Sequence, residues 1–337
     1  MDRTTSSETD ALEGIRRLLD ATIVATFVLI VLGGVVRVSD SGLGCGPEGS
    51  GTQGWPLCGG RLLPFLQEHQ VIEFSHRLVA TVVVVLIAAL VFQALRHHRE
   101  RHWLVRGTVA AAVLVLAQAA LGGLTVEHGL HSALVAAHLG LAMLLLALLI
   151  VLRRITRPEP EAPAASGSRA LRASAATTTV LLLATIVAGG YVAGTEGEGT
   201  PDQPALGAHL ACGEQFPTCL NKFMPFEYGR LVDIQLTHRL FMYLTTIAAV
   251  IMCALAWRRR APSRAFAVIP FLLAAQILLG AMNVWMGEHP WLIVSHLTLA
   301  TALWATVVYA AASLIAVPAS ATRRRERPSP IRHATSG

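Results

Sequence analysis

Residues 117–142 read AQAALGGLTVEHGLHSALVAAHLGLA, and they align without gaps onto residues 275–300, AQILLGAMNVWMGEHPWLIVSHLTLA. A second pair of stretches, VIEFSHRLVA at 71–80 and DIQLTHRLFM at 233–242, repeats a His-Arg dipeptide in front of an apolar run. Internal repeats of this kind are typical of membrane proteins built from two related halves. The sequence therefore predicts a tandem duplication with two similar sites.

The composition is that of an integral membrane protein. Hydrophobic residues make up 53% of the 337 residues, charged residues make up only 14%, and the mean hydropathy is +0.55. A soluble protein has about 25% charged residues. A helix that spans a bilayer needs about 20 mostly apolar residues. We predict an all-α membrane protein with eight transmembrane helices, near 18–37, 73–95, 104–125, 132–152, 172–194, 235–257, 265–285 and 291–316.

The basic residues indicate how these helices are oriented. Of the 27 Lys and Arg residues, 21 fall in the two tails and in every second connection. Because basic connections stay in the cytoplasm, both termini are predicted to be cytoplasmic, and the long connections 38–72 and 195–234 face outward. Membrane topology then explains the net charge of +6, and we predict no binding of nucleic acid. The first 17 residues lack the pattern of a cleaved signal peptide, so we expect the first span to remain.

A linker separates the two predicted halves. The stretch RPEPEAPAASGSRA at 157–170 is rich in Pro, Ala and Ser, which is typical of a flexible linker. Both halves start on the same side, which predicts parallel repeats related by an axis along the membrane normal. The predicted parts are a cytoplasmic tail, an N-terminal four-helix bundle, a linker, a C-terminal four-helix bundle and a basic cytoplasmic tail, over residues 1–17, 18–156, 157–171, 172–316 and 317–337.

Four histidines lie inside the predicted spans near their outward ends: His76, His138, His238 and His296. An ionisable side chain within a membrane is costly and by default indicates function. The alternative is a neutral histidine hydrogen-bonded to a neighbouring helix. Two imidazoles on facing helices of a bundle suit heme iron, whereas zinc takes three or four ligands. We predict two heme sites near the outer face, with one histidine pair in each half.

Charged residues accompany the first histidine of each half. Arg77 and Arg239 follow these histidines directly and could bind heme propionates, or extend to the membrane surface. Glu73 lies three residues before its histidine, on the same helix face, and Gln235 takes this position in the second half. The contrast predicts chemistry at the first heme only, where Glu73 accepts a proton or stabilises a cation. The alternative is an interfacial glutamate at a helix start.

Two cysteine pairs lie in the outward connections, Cys45 with Cys58 and Cys212 with Cys219. The outer face is oxidising, so each connection is predicted to form its own disulfide. Pairing between the two connections is also compatible with the sequence, and so are both a structural and a redox-active role. Cys253 lies in a predicted helix and is interpreted as a small apolar residue.

In combination these motifs resemble the heme A synthase family, which oxidises a methyl group of heme O to a formyl group by successive hydroxylation. The resemblance rests on the eight spans, on EFSHR and LTHR, on AAHLG and VSHLT, and on SGLGCG…GWPLCGG in the first outward connection. It runs from about residue 20 to 316. The stretch GPEGSGTQGWPL between the first two cysteines is longer than we expect for the family, which bears on the geometry of that disulfide.

The resemblance implies a role for each motif. His76 and His138 would ligate the iron of the substrate heme O, with Glu73 as the catalytic carboxylate, so that the N-terminal half is the catalytic site. His238 and His296 would ligate a heme b cofactor in the C-terminal half. The first cysteine pair would be linked to the electron flow of the reaction.

The resemblance also implies a setting and partners. The protein would lie in the plasma membrane of a bacterium, downstream of a heme O synthase and upstream of cytochrome oxidase assembly, and a homo-oligomer is possible. Other classes use the same histidines: a di-heme b-type electron carrier, a heme-delivery or oxidase-assembly protein without turnover, and a transporter with histidines as a proton relay. Glu73 and the outer cysteines distinguish the enzyme from the carrier.

Overall fold

The computed structural model describes residues 3–63, 67–156, 168–196, 207–261, 263–287 and 289–315. Within these ranges the chain is helical, and the only extended pairing is two isolated bridges, Cys58 with Arg61 and Cys219 with Lys222. Three short 3-10 turns lie in the long connections, at Ser41–Leu43, Gly51–Gln53 and Ala208–Leu210. The main helices are α1 Arg3–Val38, α2 Glu68–His97, α3 His102–Glu127, α4 Ser132–Ile155, α5 Arg169–Gly194, α6 Arg230–Arg258, α7 Ala265–Trp285 and α8 Pro290–Ala312.

All eight helices are long and apolar enough to cross a membrane. This confirms the predicted all-α class and the number of spans in the described part of the chain. A lipid environment forces this choice, because a helix satisfies every backbone N–H and C=O within its own segment. The apolar composition of these stretches therefore determines both that they are helical and how long the helices are.

Several helix boundaries differ from the predicted ones. Helix α1 already begins at Arg3, within the predicted tail 1–17, and Ile15 from this region is fully buried in the core. Helices α2 and α6 each begin five residues earlier than predicted, at Glu68 and Arg230. The polar residues in these first turns lower the hydropathy but not the helix propensity, so hydropathy alone misses them.

The remaining boundary predictions concern the linker and the C-terminus. Residues 157–167 of the predicted linker 157–171 and the predicted tail 317–337 lie outside the described residues. Ser168 accepts a hydrogen bond from the backbone N–H of Leu171 and caps the start of α5. Helix α8 ends at Ala312, earlier than the predicted 316.

The helices pack around two apolar clusters. The first cluster is formed by helices α1, α2, α3 and α4, and its buried residues include Leu19, Ile87, Val115 and Leu149. The second cluster is formed by helices α5, α6, α7 and α8, and it also contains residues of α1 and α4. Trp304 of α8 donates its indole N–H to the carbonyl of Met143 in α4, at 2.8 Å. Helices of the two sequence halves therefore share one buried contact surface, formed by α1, α4, α5 and α8.

Candidate functional site

The four histidines occupy equivalent positions in four alternate helices. His76 and His238 each lie eight residues beyond the first residue of their helices, α2 and α6. His138 and His296 each lie six residues beyond the first residue of α4 and α8. Because these helices begin at the same end of the molecule as the cysteine-containing connections, all four imidazoles lie at matched depths near that end.

Each histidine packs against a glycine of the preceding helix. A Cβ atom added to Gly33, Gly122, Gly189 or Gly280 would lie 3.3, 3.1, 2.9 or 3.0 Å from the Cε1 atom of the facing histidine. These distances are shorter than ordinary van der Waals contact. The glycines let the imidazole rings approach the backbone of the neighbouring helix, and they fix the rings from one side.

The glycine contacts were not anticipated from the sequence, although a signal for them exists. Gly122 and Gly280 match in the aligned stretches, and the sequences VLGGVV and VAGGYV carry Gly33 and Gly189 at matching places in α1 and α5. A glycine pair in an apolar helix commonly marks a close approach of another group. The same contact is thus made four times, once for each histidine.

The ring nitrogens of the histidines differ in their hydrogen bonding. The Nδ1 atoms of His138 and His296 are buried and have no hydrogen-bond partner among the described residues, whereas the ring of His76 interacts with the backbone carbonyl of Leu29. His238 Nδ1 lies 3.0 Å from the carbonyl oxygen of Thr185, to which it can donate. Gln276 Nε2 lies 3.2 Å from His296 Nε2. The sites are therefore alike in position but not in every contact.

The histidines are grouped in pairs and not in larger clusters. His76 and His138 are close enough to interact electrostatically, and so are His238 and His296. In the part of the chain that the structure describes, no three His, Cys, Asp or Glu side chains come together as a metal-ion cluster. A set of two imidazoles suits a metal held mainly by other ligands, as a porphyrin holds iron.

Glu73 is buried within α2 rather than lying at a helix start. It is only 4% exposed. One carboxylate oxygen accepts a hydrogen bond from the backbone N–H of Cys45 at 2.7 Å, and the other pairs with the guanidinium of Arg77. The burial of Glu73 within α2 does not fit the alternative of an exposed glutamate at the helix start. Its carboxylate connects the helix of the first histidine to the first cysteine-containing connection.

Gln235 occupies the corresponding position in α6 without these contacts. It is also buried, and its Oε1 atom has no hydrogen-bond partner among the described residues. The amide keeps the size of a glutamate side chain but carries no charge and cannot act as a base. The predicted asymmetry between the halves is thus an asymmetry of contacts as well as of charge.

The two arginines bind the cysteine-containing connections. Arg77 donates to the carbonyl of Leu57 at 2.9 Å, and Arg239 donates to the carbonyls of Thr218 at 2.8 Å and Gln215 at 2.9 Å. Leu57 and Thr218 are each the residue before the second cysteine of their connection. Arg239 is only 3% exposed. Both arginines therefore hold a connection against its helix, a role that the sequence did not reveal.

The cysteines form close pairs within each connection. The Cα atoms of Cys45 and Cys58 are 4.3 Å apart and those of Cys212 and Cys219 are 4.6 Å apart, at disulfide-bonding distance. All four are buried. The pairing is thus within connections and not between them, and the longer first stretch does not prevent it.

The extra residues of the first connection reach across to α3. Gly51 donates its backbone N–H to Glu127 at 3.1 Å. The ring of Trp55 packs over Gly123, where an added Cβ would lie 3.0 Å from it. Gly123 is next to the glycine that contacts His138. The first connection therefore contacts α3 beside the glycine that faces His138.

Two further histidines, His131 and His289, lie in the short turns before α4 and α8. His131 precedes α4, and its ring accepts a hydrogen bond from the backbone N–H of Ala133 at 3.3 Å. His289 precedes α8 and contacts the ring of Trp291. His98, directly after α2, is buried.

Comparison with known proteins identifies the class. Residues 16–308 match the COX15-CtaA family, whose description is cytochrome oxidase assembly protein. The chain belongs to this family.

The names of individual relatives are more specific than the description of the family. The heme A synthase of Halalkalibacterium halodurans is 26% identical over 86% of this chain and 93% of its own length. The heme A synthase of Shouchella clausii is 29% identical over 71% of this chain and 75% of its own length. That of Bacillus pumilus is 34% identical over 38% of this chain and 43% of its own length. The resemblance seen in the sequence motifs is confirmed.

Proposed function

We propose that this protein is a heme A synthase, an oxidoreductase that oxidises a methyl group of heme O to the formyl group of heme A by successive hydroxylation. Membership of the family and the names of the relatives support this activity. The single observation that carries the site assignment is the matched set of four histidines, each backed by a glycine, in eight helices apolar enough to span a membrane.

Each of the two histidine pairs would hold the iron of one heme through its two imidazoles. We assign His76 and His138 to the iron of the substrate heme O, and His238 and His296 to the iron of a heme b cofactor. The bond from His238 Nδ1 to Thr185 leaves Nε2 for a metal, which is the usual arrangement of a ligating histidine. A metal bound at His296 would take the place of the Gln276 contact. When bound, heme b supplies an iron that exchanges single electrons.

Glu73 is assigned as the catalytic carboxylate. Oxidation of a methyl group releases protons, and a buried carboxylate one helix turn from His76 can accept them. Its bonds to Arg77 and to the N–H of Cys45 orient both oxygens. Gln235 cannot take a proton in this way, which assigns chemistry to the first half and electron storage to the second.

The first cysteine pair is assigned to the electron flow of the reaction. A disulfide takes up two electrons and two protons when it becomes two thiols. The bond from Cys45 to Glu73 is a direct path by which a change at the sulfur atoms alters the contacts of the carboxylate. The second pair has no comparable bond to Gln235 among the contacts of that side chain, and we assign it a structural role.

We also propose the arrangement in the membrane. The helices form two tandem four-helix bundles, over 18–156 and 172–316, with both termini in the cytoplasm and the heme sites near the outer face of a bacterial plasma membrane. The distribution of basic residues supports this orientation. Heme O is scarce and hydrophobic, so a heme O synthase is the expected source, and oxidase assembly is the expected destination of heme A.

The decisive experiment compares two identical substitutions in one helix. Glu73→Gln removes the buried carboxylate, while Glu68→Gln changes an exposed glutamate of the first turn of α2. Each variant and the wild type are purified after expression beside a heme O synthase, and the extracted hemes are identified. We expect heme A or hydroxylated heme O in the wild type and in Glu68→Gln. Glu73→Gln should keep heme b but hold mainly heme O, because loss of a general base slows a reaction by about 10²–10⁴-fold.

A di-heme electron carrier or heme-delivery protein is the second candidate, favoured by the similarity of the two histidine pairs. It predicts the same unmodified hemes in the wild type and in both variants. That result would reject the assignment as an enzyme and leave heme binding in place. A protein without any heme absorbance would reject both.

A further inference from the structure

Two glutamines occupy equivalent positions in the two sequence halves. In the ungapped alignment of the halves, Gln118 falls on Gln276, just as His138 falls on His296. Gln118 lies in α3 and Gln276 lies in α7. Each is one helix turn before the glycine that faces the aligned histidine, so glutamine and glycine share one face of their helix. Each glutamine side chain therefore lies beside the second histidine of its pair.

The two glutamine amides bond different atoms of these histidines. Gln118 Nε2 donates to the backbone carbonyl of His138 at 2.9 Å. Gln276 Nε2 lies 3.2 Å from Nε2 of His296, where the amide N–H can donate to the ring nitrogen. The Oε1 atoms of both glutamines are buried and have no hydrogen-bond partner among the described residues. No second bond of the amide thus opposes its movement within the described part of the chain.

The imidazole rings of the two histidines are placed alike. A Cβ atom added to Gly122 would lie 3.1, 3.7 and 4.0 Å from Cε1, Nδ1 and Nε2 of His138. A Cβ atom added to Gly280 would lie 3.0, 3.6 and 3.8 Å from the same atoms of His296. The halves therefore differ in the position of the amide and not in that of the ring. The carbonyl and the ring nitrogen are alternative partners of one side chain.

The two partners differ in how much they need the amide. A carbonyl oxygen within a helix already accepts a helical N–H, and the amide adds a second bond. The second nitrogen of a neutral imidazole has one lone pair, and it is left unsatisfied in an apolar bundle unless a donor or a metal takes it. Iron and an amide N–H cannot share this lone pair. Binding of iron at Nε2 of His296 therefore requires the amide of Gln276 to leave.

We propose that Gln276 is a positioning residue that competes with heme iron for Nε2 of His296 and moves to the carbonyl of His296 when iron binds. Gln118 already occupies the end point of this movement, at the carbonyl of its aligned histidine. His238 keeps its own bond to Thr185 in either case, so His296 is the histidine that detaches. The second site thus contains a donor for its detached ligand. This inference rests on the assignment of the second histidine pair to heme b.

Carbon monoxide measures this competition, because it binds ferrous heme with two histidine ligands only after one histidine leaves the iron. Every protein in the test carries His76→Ala, so that the heme of the second site reports alone. Gln276→Leu removes the donor, and Gln118→Leu is the matched control at the aligned position. Carbon monoxide is titrated against the reduced proteins, and the heme absorbance is recorded. We expect about 2- to 10-fold weaker carbon monoxide binding in Gln276→Leu, because the detached nitrogen loses its hydrogen bond, and no change in the control.

A second variant covers a packing defect in the first. Gln276→Met keeps the length of the side chain without a donor, and it should weaken carbon monoxide binding equally. The low-spin absorbance before carbon monoxide is added shows that both histidines still ligate the iron. Unchanged or tighter carbon monoxide binding in the Gln276 variants would overturn the proposal, and so would an equal change in Gln118→Leu.

Two results on heme content separate this proposal from the proposed function. Loss of heme from both Gln276 variants, with heme retained in the parent, would overturn the proposal alone, because the glutamine would then support the bound heme and not compete with it. A parent protein without heme would reject the assignment of His238 and His296 on which the proposal rests.

Discussion

Replacing Gly189 by alanine should weaken the second heme site although alanine favours a helix. The new Cβ would lie 2.9 Å from His238 Cε1, whereas ordinary contact begins at 3.4 Å, so the ring must move by half an ångström. Alanine is about 1 kcal/mol more favourable than glycine within a helix. Overpacking of a close contact costs about 1–3 kcal/mol, and every 1.4 kcal/mol is a factor of about ten in binding. We expect heme b affinity to fall by about 5- to 100-fold.

The assay is the heme-to-protein ratio of the purified variant, with the low-spin absorbance as a reporter of ligation by two histidines. Gly14→Ala is the matched control, since an added Cβ there has nothing within 4 Å and should leave heme unchanged. Gly33→Ala, with its contact at 3.3 Å, should cause a smaller loss, and at the first site. The reasoning is refuted if Gly189→Ala retains heme fully and gains stability as Gly14→Ala does.

Three further outcomes are expected. His238→Ala should lose heme b while His76→Ala keeps it, as measured by the hemes extracted from each variant. Arg239→Gln should loosen the second cysteine-containing connection, because two charge-assisted hydrogen bonds of about 1.5–3 kcal/mol each are lost. Amide hydrogen exchange over 207–229 should therefore rise, while exchange over 40–60 should not change. Burial and the charge of Arg37 hold the pKa of His209 below its ordinary value of 6.5. The unfolded chain therefore binds a proton that the folded chain does not as the pH falls below about 6.5, so stability should drop there. Thermal unfolding between about pH 5 and pH 8 should show that His209→Gln removes this part of the acid sensitivity.

The two cysteine-containing connections differ in a way that matches the different roles proposed for the two halves. In both halves an arginine next to the histidine binds the carbonyl before the second cysteine. Among the described residues, a carboxylate binds the first cysteine of a connection only in the first half, where Glu73 accepts from Cys45. The longer first connection also contacts α3 through Glu127. In the first half, therefore, Glu73 joins the helix of His76 to the backbone of Cys45, and the same connection also contacts α3.

The sequence by itself determined the class, the eight helices and the candidate site residues. Long apolar stretches must be helical in a bilayer, and a histidine or glutamate within them is visible without any knowledge of contacts. The match between the halves then indicated which residues correspond. These are local properties of the sequence or direct comparisons between its two halves, so they can be recognised without a structure.

Only the tertiary structure decided what those residues touch. The bond from Glu73 to Cys45 joins residues of two different elements, and the glycine contacts of the histidines join neighbouring helices at a particular rotation about their axes. Hydropathy fixes the length of a helix but not its rotation or its partner, because lipid and protein interior are equally apolar.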